Sequence, residues 1–260
     1  MPHIKVKPDN LNERNREFTQ TPLKTPVFLN SVPKSGTHLM RNIMRMFVPV
    51  EQQYHDTFIQ IPVLRQHLEA FYPHAPRLSW GHLLFSDDAA IVLRKVNHVL
   101  LVRDPYDWVL ARARFFLSDN FEANLEHLKG GNADTLDVLN MMIFGIHNKV
   151  PSMREIYTHN AASWLGSSAH LVRYEDLVTH VKALETPEAE AFFSKLFAKC
   201  GMAMPADWRE RVRIGSDRKM SSTARENLTT RDEVPDELPE TQKQLVDYYV
   251  PGLRALLGYA

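Results

Sequence analysis

A chain of 260 residues, 44% of them hydrophobic, can bury a substantial core and fits one large α/β domain. Its 31 Lys and Arg balance 31 Asp and Glu, so the formal net charge is zero, no global field draws nucleic acid or an acidic membrane, and any anion has to be held by a local site. Cys200 is the only cysteine, which excludes an internal disulfide and a cysteine metal cluster and suits a reducing cytoplasm, and no run approaches the roughly 18 apolar residues of a membrane span.

Residues 1–24 are charged, contain prolines and lack periodicity, so they are expected to be an extended or partly disordered arm ahead of a domain over 25–260. Thr25 to Val32 (TPVFLNSV) is a short β-rich run. It leads into Pro33-Lys34-Ser35-Gly36 and then into Leu39, Ile43, Met44 and Phe47 at helical spacing: strand, tight loop, helix. A second such unit starts at Asn97, where HVLLV is nearly continuous apolar sequence, as in a parallel strand covered on both faces. Arg103-Asp104-Pro105 follows, with proline suited to a first helical turn, and then the helical pattern YDWVLARARFF. Apolar positions recur from Leu136 to Trp164, interrupted by Gly145 and Pro151, before a third buried strand, HLVRY, which runs into Glu175-Asp176. The stretch from Glu210 to Glu240 is charged and nearly unpatterned, and Gln242 to Leu257 reads as a closing helix. Strands separated by helical stretches predict an α/β fold with a central parallel sheet flanked by helices, undivided by any linker.

The first strand-loop-helix unit reads VPKSGTHL. Its small residues let backbone N–H groups face an anion at a helix N-terminus, and Lys34 adds a full charge. The pattern is not that of a nucleoside-triphosphate P-loop, in which the lysine follows the second glycine; here Lys34 precedes Ser35, Gly36 and Thr37. At Pro33 to Thr37 the sequence resembles the sulfotransferases that use 3′-phosphoadenosine 5′-phosphosulfate (PAPS), whose phosphosulfate loop reads PKSGTT followed by a large residue. His38 and Leu39 depart from that pattern. The resemblance implies that Lys34, Ser35, Gly36, Thr37 and His38 hold the cofactor on its 5′ side.

VRDPYDWVLA resembles the family's second motif, whose arginine grips the 3′-phosphate. Arg103 takes that place, and its planar fork suits bidentate phosphate contact; an ion pair with Asp104 or Asp107 is the alternative. The family's serine eight residues later is Ala111 here. PRLSWGHLLFSDD resembles the segment bearing the catalytic histidine, which makes His82 the implied base, because sulfuryl transfer to an alcohol requires removal of the acceptor proton and imidazole titrates near working pH. The family's lysine two residues earlier is Trp80, leaving Lys34 as the cation beside the leaving phosphate; His55 and Glu51 are the next candidate bases. Tyr174, in RYEDL, matches the tyrosine near the adenine, while Glu175 and Asp176 fit a structural role at the turn. SDRKMSSTARENL loosely resembles the loop that closes over the 3′-phosphate, through Arg218, Lys219 and Asn227.

The resemblance implies a P-loop NTPase-like domain. It further implies in-line transfer of the sulfuryl group from PAPS to a hydroxyl or amine of a small-molecule or lipid-like acceptor, with PAP as product and no metal. No nucleic-acid partner or membrane span is expected, a homodimer is compatible, and the location is cytoplasmic. A small-molecule kinase and an inactive nucleotide-binding module are the competing readings.

Overall fold

The computed structural model describes residues 3–4, 8–55, 57–123, 125–221, 228–229 and 232–259. Four strands, β1 (Val27–Ser31), β2 (Leu78–Gly81), β3 (Asn97–Val102) and β4 (His170–Arg173), form one parallel sheet in the order β2-β1-β3-β4. β1 is buried at all five positions and β3 at all but its first, which is why both read as continuous apolar runs and not as alternation. β2 escaped the pattern reading. Its four residues, LSWG, are too few and too mixed to signal a strand, and it holds the sheet edge by its register with β1.

Side chains alternate between two covered faces. On one, Val27, Leu29, Val99, Leu101 and Val172 pack against α1 (Thr37–Arg45), α5 (Tyr174–Lys182), α6 (Pro187–Cys200) and α7 (Trp208–Gly215). On the other, Phe28, Leu100 and Val102 meet α2 (Pro105–Leu117), α3 (Thr135–Phe144), α4 (Met153–Asn160) and α8 (Glu240–Tyr249). The breaks expected at Gly145 and Pro151 separate α3 from α4, and Gly145 takes φ +82 at the end of α3. The closing helix is shorter than its pattern suggests: Pro251 and Gly252 end α8 and start a separate turn at Leu253–Leu256. The charged stretch after Glu210 begins inside α7, whose apolar side the charges mask.

Residues 8–24, expected as an arm, are docked. A short helix at Leu11–Asn15 buries Leu11, Asn15 Nδ2 donates to the carbonyls of Arg45 and Val48, and Asp9 pairs with Arg45 at 2.8 Å. No helix among the described residues is long and apolar enough to cross a membrane.

β1 connects to β2 on one side while β3 lies on its other side, so the strand order reverses direction at β1. In open α/β sheets that point leaves a crevice outside the carboxyl ends of the strands, and it is where ligands bind. The loop after β1 and the turn after β3 flank this crevice; Val32 N donates to Leu101 O at 3.0 Å, continuing the β1–β3 ladder to the start of the loop.

α7 lies on α1 with backbone nearly touching backbone at Gly215, where an added Cβ would come 2.6 Å from Ile43 Cα and 2.7 Å from Asn42 O. Gly215→Ala should therefore destabilise the protein by about 1–3 kcal/mol in urea unfolding, because the atoms in the way are main chain and cannot swing aside.

Candidate active site

The loop from Val32 to Gly36 is held in an unusual backbone path. Lys34 has φ +67 and Gly36 φ +90, and the turn is closed by Ser35 N donating to Val32 O at 3.1 Å. Gly36 is required twice over. Its φ is unfavourable to a side chain, and a Cβ there would sit 2.3 Å from Cδ2 of Tyr174, whose ring covers the loop. Two donors fix the carbonyls: Trp108 Nε1 donates to Pro33 O at 2.6 Å, and Arg103 Nη1 reaches Lys34 O at 3.5 Å.

Lys34 lies over the Phe115 ring, its Nζ 2.8 Å from the centroid, and burial together with the charge of Arg112 lowers its pKa to about 7. Ser35 Oγ is buried without a hydrogen-bond partner, and so is Arg103 Nε. Buried polar atoms are ordinarily paired; of the four left unpaired among the described residues, these two lie in or beside the loop, and the others are His98 Nε2 and Asn160 Oδ1. Arg103 forms no ion pair among the described residues and instead stacks on Tyr174 at 4.5 Å. The alternative of a pair with Asp104 fails because Arg254 holds that carboxylate at 2.9 Å, while Asp104 also caps α2 by accepting from Tyr106 N. The same commitments leave Asp104 poorly suited to be a strand-end metal ligand.

His82 follows β2 directly. Its Nδ1 lies 2.7 Å from Ser31 O and 3.1 Å from Ser31 Oγ, which in turn bonds Thr37 Oγ1 at 2.7 Å. A carbonyl only accepts, so the proton belongs on Nδ1 and the lone pair on Nε2. Burial lowers the His82 pKa to about 3, so the ring is neutral across the physiological range. Phe58 packs edge-on against both His82 (4.5 Å) and Trp80 (5.0 Å). It is placed there by an extra parallel bridge, Ile59 to Gly81, so close that a Cβ on Gly81 would overlap Ile59 O at 1.9 Å. Asn30 holds the residue after His82 through two bonds to the main chain of Leu83.

Lys34, Ser35, Gly36, Thr37, His82, Arg103 and Tyr174 thus meet at one edge of the sheet. His38 stands beside them with its ring against Trp80 at 5.4 Å, and burial, then the nearby charge of Arg41, lowers its pKa to about 4. Tyr174 is the first residue of α5 and not the last of a strand. Glu175 is structural as read: it accepts from Asp104 N and from the Tyr259 hydroxyl, tying the carboxyl terminus to the turn after β3. Arg218 and Lys219 lie on an exposed turn after α7, anchored to α1 where Asn42 Nδ2 donates to Met220 O; Asn227 is outside the described residues. His55 and Glu51 are exposed.

One contributor went unread in the sequence: Trp108 looks like an ordinary core aromatic, and nothing in its spacing points to the loop. Arg112 and Arg114, the basic residues of α2 beside Ala111, bond away from the loop: Arg112 donates to Met142 O and Pro151 O, and Arg114 reaches Pro235 O.

No protein-family model matches the chain, and no curated protein matches it by sequence. Among solved structures, it is similar to the crystal structure of mouse sulfotransferase SULT7A1 complexed with PAP, at 16% identity and a TM-score of 0.60, over 97% of this chain and 94% of that one. A retinol dehydratase in complex with androsterone and inactive cofactor PAP follows at 14% identity and a TM-score of 0.49, over 94% of this chain and 83% of that one. At such identities the first likeness establishes architecture alone: the chain has the sulfotransferase fold, P-loop NTPase-like, with its central parallel sheet covered on both faces.

Proposed function

We propose that the protein is a PAPS-dependent sulfotransferase acting on a hydroxyl or amine of a small acceptor, within one domain over residues 25–260. The observation that carries the reading is the coincidence of unpaired donors and a neutral imidazole at one sheet edge. Lys34 and Ser35 Oγ in the loop and Arg103 beside it have no carboxylate partners among the described residues, and His82 offers a lone pair on Nε2 near them. These features support a site for a doubly phosphorylated nucleotide whose sulfuryl group is handed to an acceptor. A cytoplasmic location fits the sulfotransferase reading and the single cysteine.

In this scheme the loop N–H groups and Ser35 take the 5′-phosphosulfate, Lys34 leaves the Phe115 ring to meet the bridging oxygen, and Arg103 takes the 3′-phosphate while its face stays on Tyr174. The acceptor oxygen attacks sulfur as the bond from sulfur to the 5′-phosphate oxygen breaks. The acceptor proton passes to His82 Nε2, and the electron pair of the broken bond stays on PAP, where Lys34 stabilises it. Ser31 O orients His82 and accepts from Nδ1–H, so it also stabilises the imidazolium as it forms.

Supplied with sulfur-labelled PAPS and a panel of phenols and aliphatic alcohols in excess EDTA, the protein should label an acceptor. Absence of any labelled acceptor across the panel, with PAP still bound, would favour the inactive-module reading. His82→Ala should lower the rate about a hundredfold to ten-thousandfold; a rate within a factor of a few of the parent would place the base elsewhere.

A second expectation follows from Lys34. Its ordinary pKa is depressed to about 7 in the free protein by burial, so at pH 8 the ammonium is largely deprotonated, and an arriving phosphate restores its charge. PAP binding at pH 8 should then take up close to one proton, and affinity should fall as pH rises above 7. Calorimetry in buffers of different ionisation enthalpy measures the uptake; Lys34→Arg, charged throughout, should abolish it.

A further inference from the structure

Arg41 and Arg45 lie one turn apart on α1, and their surroundings differ. Arg45 is buried and fully engaged, bonded to Asp9, Asn12 and Gln53. Arg41 is half-buried and has neither an ion pair nor a hydrogen bond among the described residues. Its guanidinium lies 4.3 Å from the centre of the Trp80 ring. Burial, and then the charge of Arg45, lowers its pKa to about 10 against the opposing pull of the Asp9 carboxylate, so it stays charged at neutral pH. Stacking on Trp80 uses the guanidinium face and leaves its in-plane N–H groups free to grip a planar anion. A small cavity of about 10 Å³ beside β2 is lined by Arg41, Arg45, Gln53, Tyr54, His55, Leu78 and Trp80.

The position of Arg41 relative to His82 gives the unpaired charge its meaning. Trp80 and His82 are two residues apart, with Phe58 in contact with both rings. Positions two apart in extended chain are separated by about 6.6 Å, roughly the reach of one aromatic ring with a short arm. A molecule with its hydroxyl at His82 Nε2 and its body along Phe58 and Trp80 therefore carries its far end toward Arg41. We propose that Arg41 reads a carboxylate on the acceptor, held about one ring's length from the hydroxyl that His82 deprotonates. The inference rests on the sulfotransferase reading and narrows its acceptor to anionic hydroxy compounds.

Calorimetric titration of the PAP-saturated protein with para-hydroxyphenylacetate and with its uncharged isostere para-hydroxyphenylacetamide tests it. The carboxylate should bind about tenfold tighter or better, as one charge-assisted pair allows. Arg41→Gln should bring the ratio toward one, Arg41→Lys should keep part of it, and PAP binding by both variants shows that the fold has survived. Equal binding of the two probes by the parent, no binding of the carboxylate, or a ratio that persists in Arg41→Gln overturns the inference and leaves the sulfotransferase reading standing. Failure of the parent to bind PAP removes both.

Discussion

The site depends on one stretch of main chain, the loop from Val32 to Gly36, bent through left-handed conformations at Lys34 and Gly36. For lysine that conformation costs about 1 kcal/mol or more, and it persists because neighbours over-determine it. β3 fixes the start of the loop through Leu101 O, Trp108 holds Pro33, Arg103 reaches Lys34 O, and the Tyr174 ring closes over Gly36. Each of these contacts comes from a different element. The parallel sheet is what brings the ends of β1 and β3 side by side, so the fold and the loop geometry are one constraint.

The electrostatics follow from that geometry. With 31 basic and 31 acidic residues the chain has no net field, yet its pairings are uneven. Arg45, Arg173, Arg211 and Arg254 have carboxylate partners, whereas Lys34, Arg41 and Arg103 have none among the described residues and rest on aromatic rings instead. An aromatic face offers a cation roughly 0.5–2 kcal/mol, enough to hold it in place and too little to compete with a doubly charged phosphate. The acids that would otherwise neutralise the site are themselves occupied, Asp104 by Arg254 and Glu175 by Tyr259 and the Asp104 main chain. The carboxyl-terminal residues thus keep the site positive from outside it.

Much of this was legible in the sequence where a residue's role is local. VPKSGTHL announces a loop between strand and helix, HVLLV a strand covered on both faces, and Asp104-Pro105 a helix start, because each depends on neighbouring residues only. β2 was missed because four mixed residues at a sheet edge carry too little pattern, although the motif containing His82 lay across its end. The support of the loop by Trp108, the placement of Phe58 by Gly81, and the unpaired state of Arg41 arise from contacts between distant segments, and no spacing encodes them. Arg218 and Lys219 carry only a loose likeness to the family's loop, and the structure places them on an exposed turn anchored to α1.

The central claim is that the unpaired cations at this edge are arranged for a nucleotide bearing a 3′-phosphate. Calorimetric comparison of PAP, ADP and AMP tests it most directly, together with Arg103→Ala. PAP should bind far more tightly than the other two, and removing the Arg103 guanidinium should narrow the gap by about 1.5–3 kcal/mol, the worth of a charged hydrogen bond. Equal affinity for the three nucleotides, or a preference for PAP that survives Arg103→Ala undiminished, would contradict the account.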